Sequence, residues 1–252
     1  MLLAAMGACD HFDELSKNGF CVLRRRLPAP LIEACRDGFW PVLLAHVARG
    51  EANRGPCRYF LPMPFERPCF APEFFFDEGV LEIARREMGE RIVADQWGCD
   101  APVRGSEFQD VHVDYRRPLF AELPDLPVPA YMLVASFGLI DITQAHGPIE
   151  IAPGTHKMAR DAAMAAVRAG EIAVESVPLG LGDVLIRHPW ALHRGTPNRT
   201  DTPRPLLTIR YVREWYWDNS REVNAIPRAV WESLTAEQRK LMRFPVAERP
   251  RA

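Results

Sequence analysis

GDVLIRHPWALHRGTPNRTDTPRPLLTIRYV, residues 182–212, is the stretch on which the fold class turns. Gly182-Asp183 marks a turn, a short apolar run follows as a strand, and Gly195 with Pro197-Asn198 closes a second turn before another strand opens at Arg204. The same texture extends backwards to Gly89. Strand-like runs fall at residues 91–97, 107–115, 130–141, 149–152, 172–177, 183–187 and 206–215, parted by Gly, Pro, Asn and Asp. With no helices alternating between them, they predict an antiparallel barrel or sandwich. Before Gly89, helical periodicity covers residues 10–17, 29–48 and 78–88, and Pro41 is expected to kink or split the second of these. Residues 57–76, rich in proline and aromatics, cannot be a regular helix; they form either a loop packed on the core or a wall over a pocket. A last helix is expected over residues 227–244, with Trp231, Leu234 and Leu241 on one face.

The chain has 252 residues, 48% hydrophobic and 25% charged, a size and composition suited to one domain with a sizeable core. A helical part over about 1–90, a β core over about 91–217 and the helix at about 227–244 make up that domain. Proline, at 23 residues, favours short elements joined by rigid turns and excludes a helical bundle or coiled coil. A formal charge of -2 offers no electrostatic case for nucleic acid or an anionic membrane as partner, which leaves a small molecule. Six cysteines without close spacing read as buried thiols in a reducing compartment. The apolar start, MLLAAMGACD, lacks a basic flank and is too short to span a bilayer, so the cytoplasm is the expected location.

Chemistry concentrates at three residues, His112, Asp114 and His193. In a strand, residues i and i+2 point the same way, so His-x-Asp at a strand end offers an imidazole and a carboxylate to one point. A third imidazole from a neighbouring strand end completes a two-histidine, one-carboxylate face, which suits Fe(II) and leaves positions open for exogenous ligands. Taken singly, a histidine in a strand is more often a hydrogen-bonded core residue. Arg204 lies eleven positions beyond His193. A buried guanidinium there would anchor the far carboxylate of a dicarboxylate cosubstrate; alone, it reads as a surface charge on an edge strand.

Four ordered blocks resemble the phytanoyl-CoA dioxygenase-like branch of the Fe(II)/2-oxoglutarate-dependent oxygenases. They are FDELSKNGFCVLRRRL at residues 12–27, Gln109-x-x-His112-x-Asp114, HGPIEIAPGTHK at residues 146–157, and residues 182–211 with His193, Asn198 and Arg204. The resemblance implies a mainly β fold with flanking helices, a double-stranded β-helix (jelly-roll, cupin-like) with iron near its mouth. It implies Fe(II) on His112, Asp114 and His193, and 2-oxoglutarate paired through its distal carboxylate with Arg204. Gln109 and Ser136 stand where the family places further cosubstrate contacts. Two positions depart from its pattern, His146 in place of asparagine and Thr155 in place of serine; both touch turn geometry alone. Spacing to Arg204 selects His193 over His188 as distal ligand, and His146, His156 and His188 are read as structural.

The implied activity is oxidation of a C–H bond by dioxygen, with 2-oxoglutarate converted to succinate and CO2. Related halogenases replace the carboxylate ligand by a small residue, so Asp114 argues for hydroxylation or a kindred oxidation. Two other classes stay open: a cupin-like metal-binding protein without turnover, and a zinc hydrolase needing a general base such as Glu150 or Asp110. The chain is short for the family, which favours a free small molecule, a natural-product intermediate, over a CoA thioester. Tyr59, Phe60, Phe65, Phe74, Phe75 and Phe76 are candidates for an aromatic pocket wall, and Arg116, Arg117 and Arg194 for binding an acidic substrate group.

Overall fold

The computed structural model describes residues 8–114, 119–120, 122, 128–216 and 223–248. Helix α1, Ala8–Asn18, ends at Gly19, and strand β1, Phe20–Leu23, follows at once. Glycine is required there: its φ is +84°, and an added Cβ would sit 2.6 Å from the His156 ring. Helix α2, Ala29–Arg49, starts on Pro28 and Pro30 and runs through Pro41 unsplit. Ile32, Cys35, Phe39 and Leu43 form one buried stripe on both sides of the proline, and that burial outweighs the lost backbone bond.

Residues 57–76 hold more regular structure than their composition announces. Arg58–Pro62 forms β2 and Pro72–Phe75 the short α3. Asp77 caps α4, Glu78–Met88, by accepting from the Val80 N–H at 3.0 Å. The remaining elements are β3 (Ile92–Pro102), β4 (Met132–Gly138), β5 (Ile149–Ile151), α5 (Arg160–Arg168), β6 (Glu175–Val177), β7 (Val184–Arg187), β8 (His193–Arg194), β9 (Leu206–Arg213), α6 (Arg228–Ser233) and α7 (Ala236–Leu241). Helix α5 was not anticipated. The expected helix at 227–244 is two, because Leu234 is extended and Thr235 opens a new helix in a capping box with Gln238. The expected strand at 107–115 does not form over residues 107–114; a single bridge, His112 to His193, is all the pairing there, and Tyr115 lies outside the described residues.

The strands make a six-stranded antiparallel sheet, β1-β7-β4-β9-β3-β2, and a three-stranded one, β6-β5-β8. Together with the flanking helices they form a jelly-roll core. Alternation sorts the larger sheet into two faces. Cys21, Leu61, Trp97, Leu133, Phe137, Ile186, Leu207 and Ile209 join Phe39, Phe74, Phe75 and Leu81 in one large apolar cluster. Phe74 stacks on Phe137 with centroids 5.0 Å apart, and Phe75 meets Trp97 edge-on at 5.2 Å. The expected aromatic wall is therefore mostly core: Tyr59, Phe65, Phe74 and Phe75 are buried in this cluster, Phe76 packs against it, and of the six only Phe60 lines the cavity between the sheets. Full burial of each such side chain contributes about 1.5–3 kcal/mol. Cys21, Cys35, Cys57, Cys69 and Cys99 are all free thiols. Among the described residues no helix is long and apolar enough to cross a membrane.

Candidate metal centre

The opposite face of the sheet looks into that cavity, of about 140 Å³, where polar Gln96, Asp100, Ser136, Arg187, Thr208 and Arg210 line it beside Val134 and Leu206. At its mouth the chain at His112 runs against β8. The His112 N–H donates to the His193 carbonyl and the His193 N–H to that of His112, both at 2.9 Å. Such a closed antiparallel pair puts both side chains on one face, and the rings lie 4.5 Å apart. One bridge thus does what the expected strand was to do. A further bond, from the Asp114 N–H to the Pro189 carbonyl at 3.0 Å, brings Asp114 to the same side.

Both rings have a defined tautomer. His112 Nδ1 lies 2.7 Å from the Asp110 carbonyl and His193 Nδ1 lies 2.8 Å from that of Ala191. A carbonyl only accepts, so each Nδ1 carries a proton and Nε2 is the ring atom left to face a metal. One donor atom from each of His112, Asp114 and His193 lies within 4.8 Å of the others, a set able to converge on one cation. Burial, reinforced by His193 alongside, holds His112 below the usual imidazole range. Burial would raise Asp114, but Arg187 and His193 outweigh it and hold the carboxyl well below the ordinary range. Unprotonated imidazole and ionised carboxylate are the forms that bind metal.

Arg204 is buried, not a surface charge. It is 1% exposed, its Nη2 lies 3.3 Å from Asp100, and its Nε and Nη1 have no hydrogen-bond partner. Burial, opposed by Asp100, pushes it down to about 10, so it stays charged at neutral pH. Asn198 delivers it: the buried amide donates to the carbonyls of Pro102 and Thr202 and accepts from the Thr200 N–H, which folds the segment ahead of Arg204. Arg58 shares that carboxylate oxygen, its Nη1 lying 3.0 Å from Asp100 Oδ2, and donates to the Thr196 carbonyl.

Ser136 and Gln109 also line this cavity. Ser136 sits on β4 opposite Leu185 and Thr208. Gln109 is partly engaged, its Oε1 accepting from the Gly195 N–H at 3.0 Å. Gly195 has no room for a side chain; a Cβ would approach Arg58 Nη1 to 2.5 Å and Gln109 Oε1 to 2.6 Å. Outside lies a wider cleft of about 480 Å³, which shares Arg54, Gln109, His112 and Asp114 with the inner cavity.

The other histidines are held elsewhere. His156 and His188 stack at 4.8 Å, with His156 facing the Ser16 carbonyl and His188 facing Glu87, while His146 bonds Thr143. Arg194 is tied to Glu150 at 2.7 Å and lies over the Phe108 ring, so neither the arginine nor that candidate base is unengaged. Asp110 lines the outer cleft, while Arg116 and Arg117 lie outside the described residues. Two features escaped the sequence reading, the Arg58–Asp100 pair and Arg187. A charged residue inside an otherwise apolar strand, as in Val184–Arg187, was the available signal.

Residues 15–206 match the family model described as phytanoyl-CoA dioxygenase (PhyH). AviO1 from Streptomyces viridochromogenes Tue57 shares the fold with a TM-score of 0.63 at 20% identity, over 87% of this chain and 98% of that one. The epimerase SnoN, in complex with Fe3+, alpha ketoglutarate and nogalamycin RO, aligns with a TM-score of 0.61 at 14% identity over 96% of each chain. HygX from Streptomyces hygroscopicus, with nickel and 2-oxoglutarate bound, gives 0.58 at 16% identity over 91% of this chain and 93% of its own.

Proposed function

The chain belongs to the phytanoyl-CoA dioxygenase family, and from that premise we propose that it is an Fe(II)- and 2-oxoglutarate-dependent oxygenase that oxidises, by hydroxylation, an unactivated C–H bond of a small natural-product intermediate. One observation carries the reading. A face of two Nε2 atoms and a carboxylate opens on the same cavity as a buried arginine whose Nε and Nη1 are unpaired. Leaving those donors buried and unbonded costs about 1–3 kcal/mol, which a dicarboxylate would recover through two parallel charge-assisted bonds.

His112, Asp114 and His193 would hold the metal, and Arg204 the distal carboxylate of 2-oxoglutarate. Fe(II) with the keto acid and dioxygen supplies the oxidising chemistry, the keto acid leaving as succinate and CO2. The chain's own part is placement. The carbonyls of Asp110 and Ala191 fix both ring tautomers, and Asn198 and Asp100 fix Arg204. Ser136 offers a hydroxyl along the cavity wall, and Gln109 an amide at the rim. The outer cleft, which joins the inner cavity at His112 and Asp114, is the way in for substrate, whose entry covers the mouth and excludes water from the reacting centre. SnoN, an epimerase in complex with nogalamycin RO, supports the small-molecule reading; Asp114 supports hydroxylation over halogenation.

Anaerobic addition of Fe(II) and then 2-oxoglutarate tests the reading. A weak visible charge-transfer band is expected in the wild-type chain. Arg204→Ala should weaken 2-oxoglutarate at least about 100-fold, as loss of one partner of a buried charge pair does, while metal binding stays measurable. A folded wild-type protein without the band would overturn the proposal.

A further inference from the structure

Four buried guanidinium groups, Arg58, Arg187, Arg204 and Arg210, surround the metal triad. Arg58 pairs with Asp100, and Arg210 bonds both oxygens of Asp95 at 2.7 and 2.9 Å. Arg204 has the cosubstrate as its proposed partner. Arg187, 7% exposed, is the one whose charge stays unmatched when the site is loaded. Among the described residues its ion-pair partner is Asp114, 2.8 Å from Nη1, and its buried Nε makes no hydrogen bond. Asp114 is also the proposed metal ligand: its Oδ1 faces His193 and its Oδ2 faces Arg187, so one negative charge would be shared between a dication and the guanidinium. The dianionic keto acid and Asp114 together carry one negative charge fewer than the dication, Arg204 and Arg187 carry positive. Buried charge without a partner is expensive, so the loaded cavity calls for one more anion.

Register shows where that anion would sit. Arg187 lies opposite Val134 on β4, whereas Leu206, two residues past Arg204, lies opposite Gly138. Four strand residues separate the two levels, about 13 Å at 3.3 Å per residue, so Arg187 and the cosubstrate anchor occupy different ends of the cavity. On the Arg187 level the sheet continues through Val134 and Arg210 to Gln96, whose amide also lines the space. Arg194, which the sequence also offers for an acidic group, is held by Glu150.

We infer that Arg187 recognises a carboxylate on the primary substrate, through the unbonded Nε edge of its fork, and that the enzyme therefore acts on a small monocarboxylic acid. This inference rests on the oxygenase reading and deepens it. Benzoate and its neutral isostere benzamide are the probes, titrated anaerobically into the Fe(II) protein saturated with 2-oxoglutarate, with the visible band as readout. Benzoate is expected to shift the band saturably and to bind at least about tenfold more tightly than benzamide. Arg187→Gln should abolish that preference, and Arg187→Lys, which keeps the charge but loses the fork, should retain a weakened one. Equal response to both probes, no saturable response to benzoate, or a preference that survives in Arg187→Gln would overturn it. So would a folded Arg187→Gln protein that no longer forms the 2-oxoglutarate band, since Arg187 would then act only by holding Asp114. A wild-type protein without the band is a separate result, and it removes the oxygenase reading beneath.

Discussion

The two faces of the six-stranded sheet are made by alternate residues of the same strands, yet they obey opposite rules. On β9, Leu207 and Ile209 point into the aromatic cluster while Thr208 and Arg210 point into the cavity; on β3, Trp97 and Cys99 face one way, Gln96 and Asp100 the other. One face maximises apolar burial. Its neighbour buries arginines, a serine and a glutamine at a cost that apolar residues of similar volume would avoid. The difference locates function without reference to any motif: polar groups held in the interior against stability, and incompletely paired as in Arg204 and Arg187, are there to meet something that is not the protein.

Crossed substitutions should separate the faces, and they carry the largest expected effects. His112→Ala is expected to lower succinate release by more than about 100-fold, because loss of even an outer partner of a metal ligand costs about 10–100-fold. The thermal midpoint of its metal-free form should stay within a few degrees of wild type, since His112 is half-buried and outside the apolar clusters. Trp97→Ala should reverse the pattern, destabilising the fold by about 3–5 kcal/mol in urea while the protein that remains folded still binds metal. Equal losses of stability and activity in both variants would break the distinction.

His188 sharpens the comparison, because it is the residue after Arg187 and turns to the helix side. There it meets His156, Glu87 and the charge of Lys157, and burial first, then His156 and Lys157, pushes it down from 6.5 to about 3. The folded state therefore keeps His188 neutral while the unfolded chain takes up a proton below about pH 6.5. Stability from this residue is complete above that pH and is lost as pH falls towards 3, by at most about 1.4 kcal/mol per pH unit. Urea midpoints measured between pH 7 and pH 4 should fall steeply for wild type and less steeply for His188→Gln. Parallel slopes would show that His188 is not the acid-sensitive group.

Much of this arrangement was legible in residue order, for reasons that also explain the misses. Helix α4 and strands β4, β5, β7 and β9 carry clean periodicity between turn residues, so they were readable. Residues 107–114 alternate as a strand does, but Gln109, His112 and Asp114 spend their backbone bonds on Gly195, His193 and Pro189, and alternation alone does not reveal the partner. Strand β2 hid among prolines, because an edge strand tolerates them at its end. Arg187 was passed over since a lone arginine in a short strand is usually exposed; its burial follows from the pairing of β7 between β1 and β4, a fact of tertiary structure.

Ser136 gives the finest test of the contrast, because its effect is small and must fall on one side only. It is 1% exposed, it lies level with Thr208 on the polar face, and its hydroxyl has no hydrogen bond to the described residues. If the hydroxyl serves the cosubstrate, Ser136→Ala removes one neutral hydrogen bond worth about 0.5–1.5 kcal/mol. That corresponds to a KM for 2-oxoglutarate raised about 2- to 12-fold at unchanged kcat, with stability within about 0.5 kcal/mol of wild type. A purely structural serine would give the reverse, an unchanged KM with a lower urea midpoint. The measurement thus decides whether the polar face meets its ligand along the whole of β4 or only at the arginines that bound it.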